Sequence, residues 1–136
     1  MQVRRPQGFT MIELIVVIVI LGILAAVALP RFIDVSSNAK SAALSGVVGA
    51  AASAMTINYS GCAVTNHVAT SLKCITISNC SQVGNIMEGG LPSGYTVAAA
   101  ALGTGVAGSN GVEATCTITQ TAGSATGTFT GISAGN

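Results

Sequence analysis

The chain has 136 residues, which is enough for one domain together with an extended helix. Charged residues make up only 7 % of it and the net charge is +1, so it lacks the basic surface that nucleic-acid binding requires. A nearly neutral chain rich in Gly, Ala, Ser and Thr suits a subunit that buries much of its surface against copies of itself.

The N-terminus combines a short basic stretch with a long apolar one. Arg4 and Arg5 come first, then Gly8-Phe9-Thr10-Met11-Ile12-Glu13, and then an uncharged run from Leu14 to Leu29. A run of this length predicts a membrane-spanning helix, and the basic residues before it predict a cytoplasmic N-terminus. Glu13 lies at the head of this run, and an ionisable group in such a place indicates a functional site.

These residues resemble the N-terminus of a type IV prepilin. The shared features are the short basic leader, the Gly–Phe junction and a Glu five residues after the Gly. The resemblance implies that a prepilin peptidase cleaves between Gly8 and Phe9 and that the new Phe9 amine is N-methylated. It also implies that Glu13 acts in assembly by pairing with the N-terminal amine of a neighbouring subunit. The alternative is a signal peptide or single-pass anchor with a chance Glu.

Three regions follow from this interpretation: a leader at residues 1–8, a hydrophobic membrane and filament-core segment at 9–30, and a globular head at 31–136. One helix is predicted from Phe9 to about Tyr59. Its second half is amphipathic and is expected to cover a sheet with one face. That face contains Phe32, Val35, Ala39, Ala43, Val47, Ala50, Ala54 and Ile57, and it is widened by Leu44, Val48, Ala51 and Met55.

Gly22 and Pro30 are two weak points in the first half of this helix. Pro30 has no backbone N–H and clashes with the preceding turn, at a cost of about 3 kcal/mol in a helix interior. An ordinary proline kink is expected in the free subunit. The family resemblance implies a local loss of helix between Gly22 and Pro30 inside the filament.

The rest of the chain predicts a small sheet. Gly61 is expected to end the helix, with a loop to Ile77 that contains a possible edge strand at Lys73–Ile77. Asn79-Cys80-Ser81-Gln82 predicts a capping box at the start of a short helix. Strands are predicted at Tyr95–Leu102, Val112–Thr121 and Ala125–Ile132, the second alternating apolar with polar residues. The predicted class is α+β: a long N-terminal helix on an antiparallel sheet of three to four strands, the pilin fold.

The four cysteines, Cys62, Cys74, Cys80 and Cys116, all follow the apolar segment. An even count in an exported region predicts two disulfides, and spacing alone leaves three pairings open. A zinc site is the alternative, but these spacings match no common ligand pattern, and His67 is the only histidine. The resemblance to short pilins implies Cys80–Cys116, which leaves Cys62–Cys74.

No catalytic set, metal site or cofactor motif is apparent, so an enzyme is not expected. His67 stands alone in a polar loop and is expected to be solvated, while Asn58 and Asn79 each begin a weak glycosylation sequon. The predicted function is a structural subunit of a type IV pilus that polymerises for adhesion, motility or DNA-uptake support. The alternatives are a type II secretion pseudopilin and a minor pilin acting as a DNA receptor.

The resemblance also implies the partners and the location. The subunit is expected to reside in the inner membrane and to be cut by the prepilin peptidase. It then meets the pilus assembly machinery of that membrane and joins an extracellular filament of like subunits. No nucleic-acid partner is expected.

Overall fold

A computed structural model describes residues 8–103 and 109–136, apart from the side chains of Ile33 and Asp34. The predicted leader up to residue 7 therefore lies outside the described residues. The chain divides into an N-terminal unit, residues 1–39, and a compact unit, residues 40–136. Helix α1, Met11–Val64, contributes to both units, and each unit is described by itself.

The N-terminal unit consists of the first part of α1. Every described side chain between residues 8 and 39 is exposed. Mean hydropathy reaches 3.1 in this helix, which is long and apolar enough to cross a membrane. The helix continues through Gly22 and Pro30 without interruption. Loss of helix between these residues in a filament stays a prediction.

In the compact unit α1 covers the sheet with a narrower face than the sequence pattern predicts. Its buried residues are Leu44, Ala51, Met55, Asn58 and Cys62. Ala43, Ala50 and Ile57, which were expected on the same face, are exposed instead. The apolar residues cover a wide arc of the helix, and a sheet of three strands covers only part of it.

The sheet has three antiparallel strands, β1 Tyr95–Val97, β2 Glu113–Gln120 and β3 Thr126–Ile132, in the order β1-β2-β3. Cys116 and Phe129 are paired across β2 and β3, and both face the core, as does Ile118. The predicted alternation of β2 and the inward position of Phe129 are confirmed. The α+β architecture is also confirmed.

Close contact between α1 and the sheet depends on Gly127 in β3. A Cβ atom at this residue would lie 2.6 Å from Cγ2 of Val48 and 3.5 Å from Cγ of Leu44. Because glycine has no side chain, the backbone of β3 packs directly against the helix. The core between the two layers is completed by Met55, Ile77, Val83 and Leu102.

Two predicted strands differ from the structure. The strand that begins at Tyr95 ends at Val97 because the following backbone pairs elsewhere: Cys80 N donates to Ala100 O at 2.9 Å, and Leu102 N donates to Ser78 O at 2.8 Å. The prediction of an edge strand at Lys73–Ile77 was wrong. That segment forms only single bridges, Thr70 with Cys74 and Ile77 with Ala134.

The capping box at Asn79 is confirmed, and it begins a short 3-10 helix at Cys80–Asn85. Ser81 N donates to Oδ1 of Asn79 at 3.0 Å, and Asn79 N donates to Oε1 of Gln82 at 2.9 Å. These bonds satisfy backbone donors that the first turn of a helix leaves free. The cap therefore fixes the direction in which Cys80 enters the core.

Gly61 does not end the helix, which continues to Val64. The prediction failed because glycine has a different role here. A Cβ atom at Gly61 would collide with the backbone carbonyl of Lys73, so the residue allows the returning loop to lie directly against α1. Gly49 lies in the same helix and has no atom within 4 Å of its ideal Cβ position.

These two glycines predict opposite effects of the same substitution. Gly61→Ala is expected to destabilise the subunit by about 1–3 kcal/mol because the Lys73 carbonyl must move. Gly49→Ala is expected to stabilise it by about 0.5–1 kcal/mol, since alanine favours a helix. Thermal unfolding of the detergent-solubilised full chain, followed by circular dichroism, measures both. A higher melting temperature for Gly61→Ala would contradict the close contact.

Candidate assembly site

Glu13 lies in the first turn of α1 and closes a second capping box. Thr10 precedes the helix, and its backbone N donates to Oε2 of Glu13 at 2.9 Å. The Thr10 hydroxyl donates to the same oxygen at 2.7 Å, and Glu13 N lies 3.4 Å from Oγ1 of Thr10. The sequence analysis missed this box, although a Thr followed three residues later by a Glu is its signature.

The box orients the carboxylate and leaves one oxygen available. Both bonds from Thr10 go to Oε2 of Glu13, and Oε1 accepts no hydrogen bond within the described chain. The free N–H groups and the dipole at a helix N-terminus also favour a negative charge there. Glu13 is therefore positioned to accept a donor from outside its own chain.

The surroundings of Glu13 are apolar. Phe9, Ile12, Val16 and Val17 line a shallow hollow of about 380 Å³ together with it. Phe9 is 89 % exposed. A second molecule that covers this hollow would remove water from the carboxylate and strengthen any charge pair formed there.

The apolar run from Leu14 to Leu29 is covered by nothing in its own unit. Its Leu, Ile and Val side chains are all between 47 % and 64 % exposed. Monomeric soluble proteins rarely expose continuous apolar surface of this extent, and such surface marks a membrane or protein contact. The N-terminal unit therefore requires lipid or other protein chains around it.

The compact unit contains two disulfides, Cys62–Cys74 and Cys80–Cys116, with Cα atoms 4.5 and 5.5 Å apart. This is the pairing that the resemblance to short pilins implies. The first bond joins the last turns of α1 to the loop that follows, and the second joins the short 3-10 helix to the middle of β2. All four cysteines are buried.

Asn58 has a structural role that argues against its use as a sugar acceptor. Its Nδ2 donates to Ile75 O at 2.8 Å, and Ile75 N donates to its Oδ1 at 2.9 Å. The side chain is only 8 % exposed. Because both ends of the amide are bonded to the loop backbone, this sequon is not accessible. Asn79 differs, because its side chain accepts the capping bonds from Ser81 through Oδ1 alone.

His67 is half-buried, which corrects the expectation that it is solvated. Its ring centroid lies 5.4 Å from that of Tyr59, and its Nδ1 is buried without a hydrogen-bond partner. No group of three or more His, Cys, Asp or Glu side chains suited to a metal ion occurs among residues 8–103 and 109–136. His67 therefore packs on Tyr59 at the end of α1.

Comparison with known proteins decides the family. The prokaryotic N-terminal methylation motif matches residues 3–29. The type IV narrow pilus major component PilA5 of Thermus thermophilus is 39 % identical over 92 residues, which are 68 % of this chain and 69 % of that protein. The chain belongs to the type IV pilin family.

Other relatives match this pilin over a shorter length. The type II secretion system core protein G of Pseudomonas aeruginosa is 46 % identical over 55 residues, 40 % of this chain and 39 % of that protein. The type IV major alpha-pilin of Moraxella bovis is 47 % identical over 52 residues, 38 % of this chain and 33 % of that protein. No solved structure matches the chain.

Proposed function

We propose that this pilin is the structural subunit of a type IV pilus and that its copies polymerise into a surface filament for adhesion, motility or DNA-uptake support. The observation that carries the proposal is the uncovered apolar helix with a single oriented carboxylate at its head. The similarity to a major pilus component supports it. The role is structural, and no catalysis is proposed.

The proposed mechanism moves the Phe9–Leu29 segment from lipid into a bundle of like helices. Both environments are apolar, so the hydrophobic effect changes little, and close packing and charge pairing decide assembly. Cleavage after Gly8 creates a positive amine at Phe9. In the filament that amine of one subunit pairs with Oε1 of Glu13 in the next, while Thr10 holds Oε2.

Before assembly, the precursor is proposed to reside in the inner membrane as a single-pass protein. Arg4 and Arg5 then lie in the cytoplasm, and residues 31–136 form the head on the opposite side. A prepilin peptidase removes residues 1–8, the Phe9 amine is methylated, and the assembly machinery extracts the subunit from the membrane. Residues 9–30 serve first as the anchor and then as the filament core.

We also propose that α1 loses helical turns between Gly22 and Pro30 on entering the filament. Pro30 has no N–H to donate to the carbonyl of Ala26, so one hydrogen bond of the ladder is already missing. Glycine adds the largest backbone entropy of any residue to the unwound form. These two residues therefore lower the cost of unwinding this segment of the helix.

A pseudopilin of a type II secretion system is the second candidate. The similarity to core protein G favours it, but this similarity covers 55 residues, whereas that to the narrow pilus component covers 92. A minor pilin that receives DNA is less well supported, because the compact unit contains only two basic side chains, Lys40 and Lys73.

Processing at Gly8 gives a first test. Gly8→Phe is expected to block cleavage, because the peptidase must then accept a bulky side chain at the junction, and the full-length precursor should accumulate in the membrane. Gln7→Ala serves as the control and should be processed normally. Intact-mass measurement distinguishes a subunit that begins at methylated Phe9 from the precursor. Assembled filaments that still contain Arg4 and Arg5 would contradict the proposed processing.

A further inference from the structure

The segment after β3, residues 133–136, covers the Cys62–Cys74 disulfide, and we call this segment the strap. Ala134 is fully buried in one cluster with the two cysteines. A Cβ atom at Gly135 would lie 3.2 Å from Sγ of Cys74, and Gly135 has φ +70°, a conformation that favours glycine. The backbone of the strap therefore lies directly against this sulfur and keeps solvent away from it.

Hydrogen bonds, more than apolar contacts, hold the strap in place. Ala134 N donates to Ile77 O at 3.0 Å, and Ile77 N donates to Ala134 O at 2.8 Å. Oγ1 of Thr76 donates to Gly135 O at 2.9 Å. Ala134 is the only strap residue with an apolar side chain. Because segments with few buried apolar contacts open at a lower free energy than the core does, the strap can detach while the rest of the compact unit stays folded.

Asn110 fastens the end of the strap. Its Nδ2 donates to Asn136 O at 3.0 Å, and Asn136 N donates to its Oδ1 at 2.9 Å. One side-chain amide thus makes the pair of bonds that a neighbouring strand would otherwise make with the backbone of this residue. Nδ2 of Asn136 in turn donates to Ile77 O at 3.2 Å. The position of the strap therefore depends on two asparagine side chains.

The second disulfide, Cys80–Cys116, lies in a different environment, and we call it the core disulfide. Both of its cysteines belong to the main core between α1 and the sheet. A Cβ atom at Gly131 of β3 would collide with Sγ of Cys116 and would lie 2.9 Å from Cδ2 of Leu102. Exposure of this bond requires the helix and the sheet to separate. The two disulfides therefore differ in the motion that exposes them to solvent.

We propose that the strap is a gate that controls the access of thiols to the Cys62–Cys74 disulfide. When the strap is open, a thiolate attacks one sulfur, the bond between the two sulfurs breaks, and a mixed disulfide forms. If the reductant is a dithiol, its second thiol then displaces the attached cysteine. The products are two cysteine thiols and the oxidised, cyclic reagent. When the strap is closed, neither sulfur is accessible and exchange stops.

Such a gate decides how long the cysteine pair can still be exchanged. Four cysteines allow three pairings, and a wrong pair is corrected by further attack of a thiolate. Cys62 and Cys74 are open to this correction until the strap docks, and the native bond is protected afterwards. The gate is a property of the compact unit, so it goes beyond the proposed function and does not depend on filament formation.

Reduction of the detergent-solubilised full chain by dithiothreitol tests the gate. Samples are alkylated at intervals, and peptide mass spectrometry gives the initial rate of reduction for each disulfide. The rate for Cys62–Cys74 should be the higher one and should rise only weakly with urea, because opening of the strap exposes little surface. The rate for the core disulfide should rise steeply. Equal rates with equal urea dependence would overturn the proposal.

Asn110→Asp tests whether the strap itself is the gate. Asp still accepts a hydrogen bond from Asn136 N, but it cannot donate to Asn136 O, so the closed strap is destabilised. Reduction of Cys62–Cys74 should become about tenfold faster, the factor that corresponds to about 1.4 kcal/mol. Gly135→Ala, which places a methyl group against Sγ of Cys74, should accelerate the reaction in the same way. An unchanged rate in either variant would overturn the proposal.

Gly49→Ala is the control for overall stability. Gly49 has no atom within 4 Å of its ideal Cβ position, so alanine stabilises α1 equally whether the strap is closed or open. The rate for Cys62–Cys74 should therefore be unchanged, while reduction of the core disulfide should become about two- to fivefold slower. Equal slowing of both reactions would show that the whole unit must unfold before Cys62–Cys74 is exposed, which would contradict a gate.

Discussion

Glu13→Gln is expected to abolish filaments in cells that lack the wild-type copy. In the proposed filament core the carboxylate and the Phe9 amine both leave water, and an unpaired charge there costs several kcal/mol. Gln removes the negative charge and leaves the neighbouring amine without a partner. A loss of several kcal/mol per contact corresponds to at least a hundredfold weaker association, by the usual factor of ten per about 1.4 kcal/mol.

The substitution removes the charge of residue 13 but is expected to preserve the local structure. The third position of a capping box can be Gln as well as Glu, and this chain contains one of each. Oε1 of Gln82 accepts a hydrogen bond from Asn79 N at 2.9 Å, and Oε2 of Glu13 accepts one from Thr10 N at 2.9 Å. The start of α1 should therefore be unchanged in the variant. Any loss of assembly then reports on charge rather than on helix formation.

The measurement combines electron microscopy of sheared filaments with intact-mass analysis of the membrane fraction. The variant should be cleaved after Gly8 and remain in the membrane. Thr10→Ser, which keeps the hydroxyl donor, is the matched control and should still assemble. If Glu13 were instead a protonated bystander, which burial also favours, Gln would be tolerated. Abundant filaments of pure Glu13→Gln subunit would rule out the charge pair.

The second large effect is expected from the Cys80–Cys116 disulfide. Replacing both residues with alanine should destabilise the compact unit by about 4 kcal/mol in the chain-entropy model, because the bond closes a loop of 36 residues. Both cysteines are fully buried, so lost packing adds to this cost. Alanine is preferred to serine because a buried hydroxyl without a partner would add its own penalty.

The Cys62–Cys74 pair is the matched control. Its loop spans 12 residues, and its loss should cost about 3 kcal/mol. Thermal unfolding of the solubilised subunit should therefore show the larger decrease for the Cys80–Cys116 variant, about 15 °C or more for a domain of this size. Equal melting temperatures for the Cys80–Cys116 variant and the wild type would show that the second disulfide does not hold the compact unit together.

The parts of the fold that sequence predicts well are those with a local physical cause. The alternation of β2 follows from its half-buried position, and the capping box at Asn79 depends on four consecutive residues. The apolar run and Glu13 could also be recognised from the sequence, because both are defined by consecutive residues. The Thr10–Glu13 box had an equally local signal and was overlooked because Glu13 was considered only for its charge.

The parts that sequence does not predict depend on contacts distant along the chain. Glycine often ends a helix, but Gly61 lies inside α1, where the absence of a side chain lets the carbonyl of Lys73 lie against the helix. Leu44 and Ala43 are both apolar, and only the position of the sheet decides that the first is buried and the second exposed. The apparent strand after Val97 is redirected by pairing with the segment around Ser78.

Intact-mass analysis of filaments sheared from cells that express this chain, viewed in parallel by electron microscopy, tests the central claim most directly. If the chain is the structural subunit of a type IV pilus, the main component of the filaments should be this chain, beginning at N-methylated Phe9 and containing two disulfides. A chain that is found only as the full-length precursor in the membrane, with filaments made of another protein, would contradict the claim.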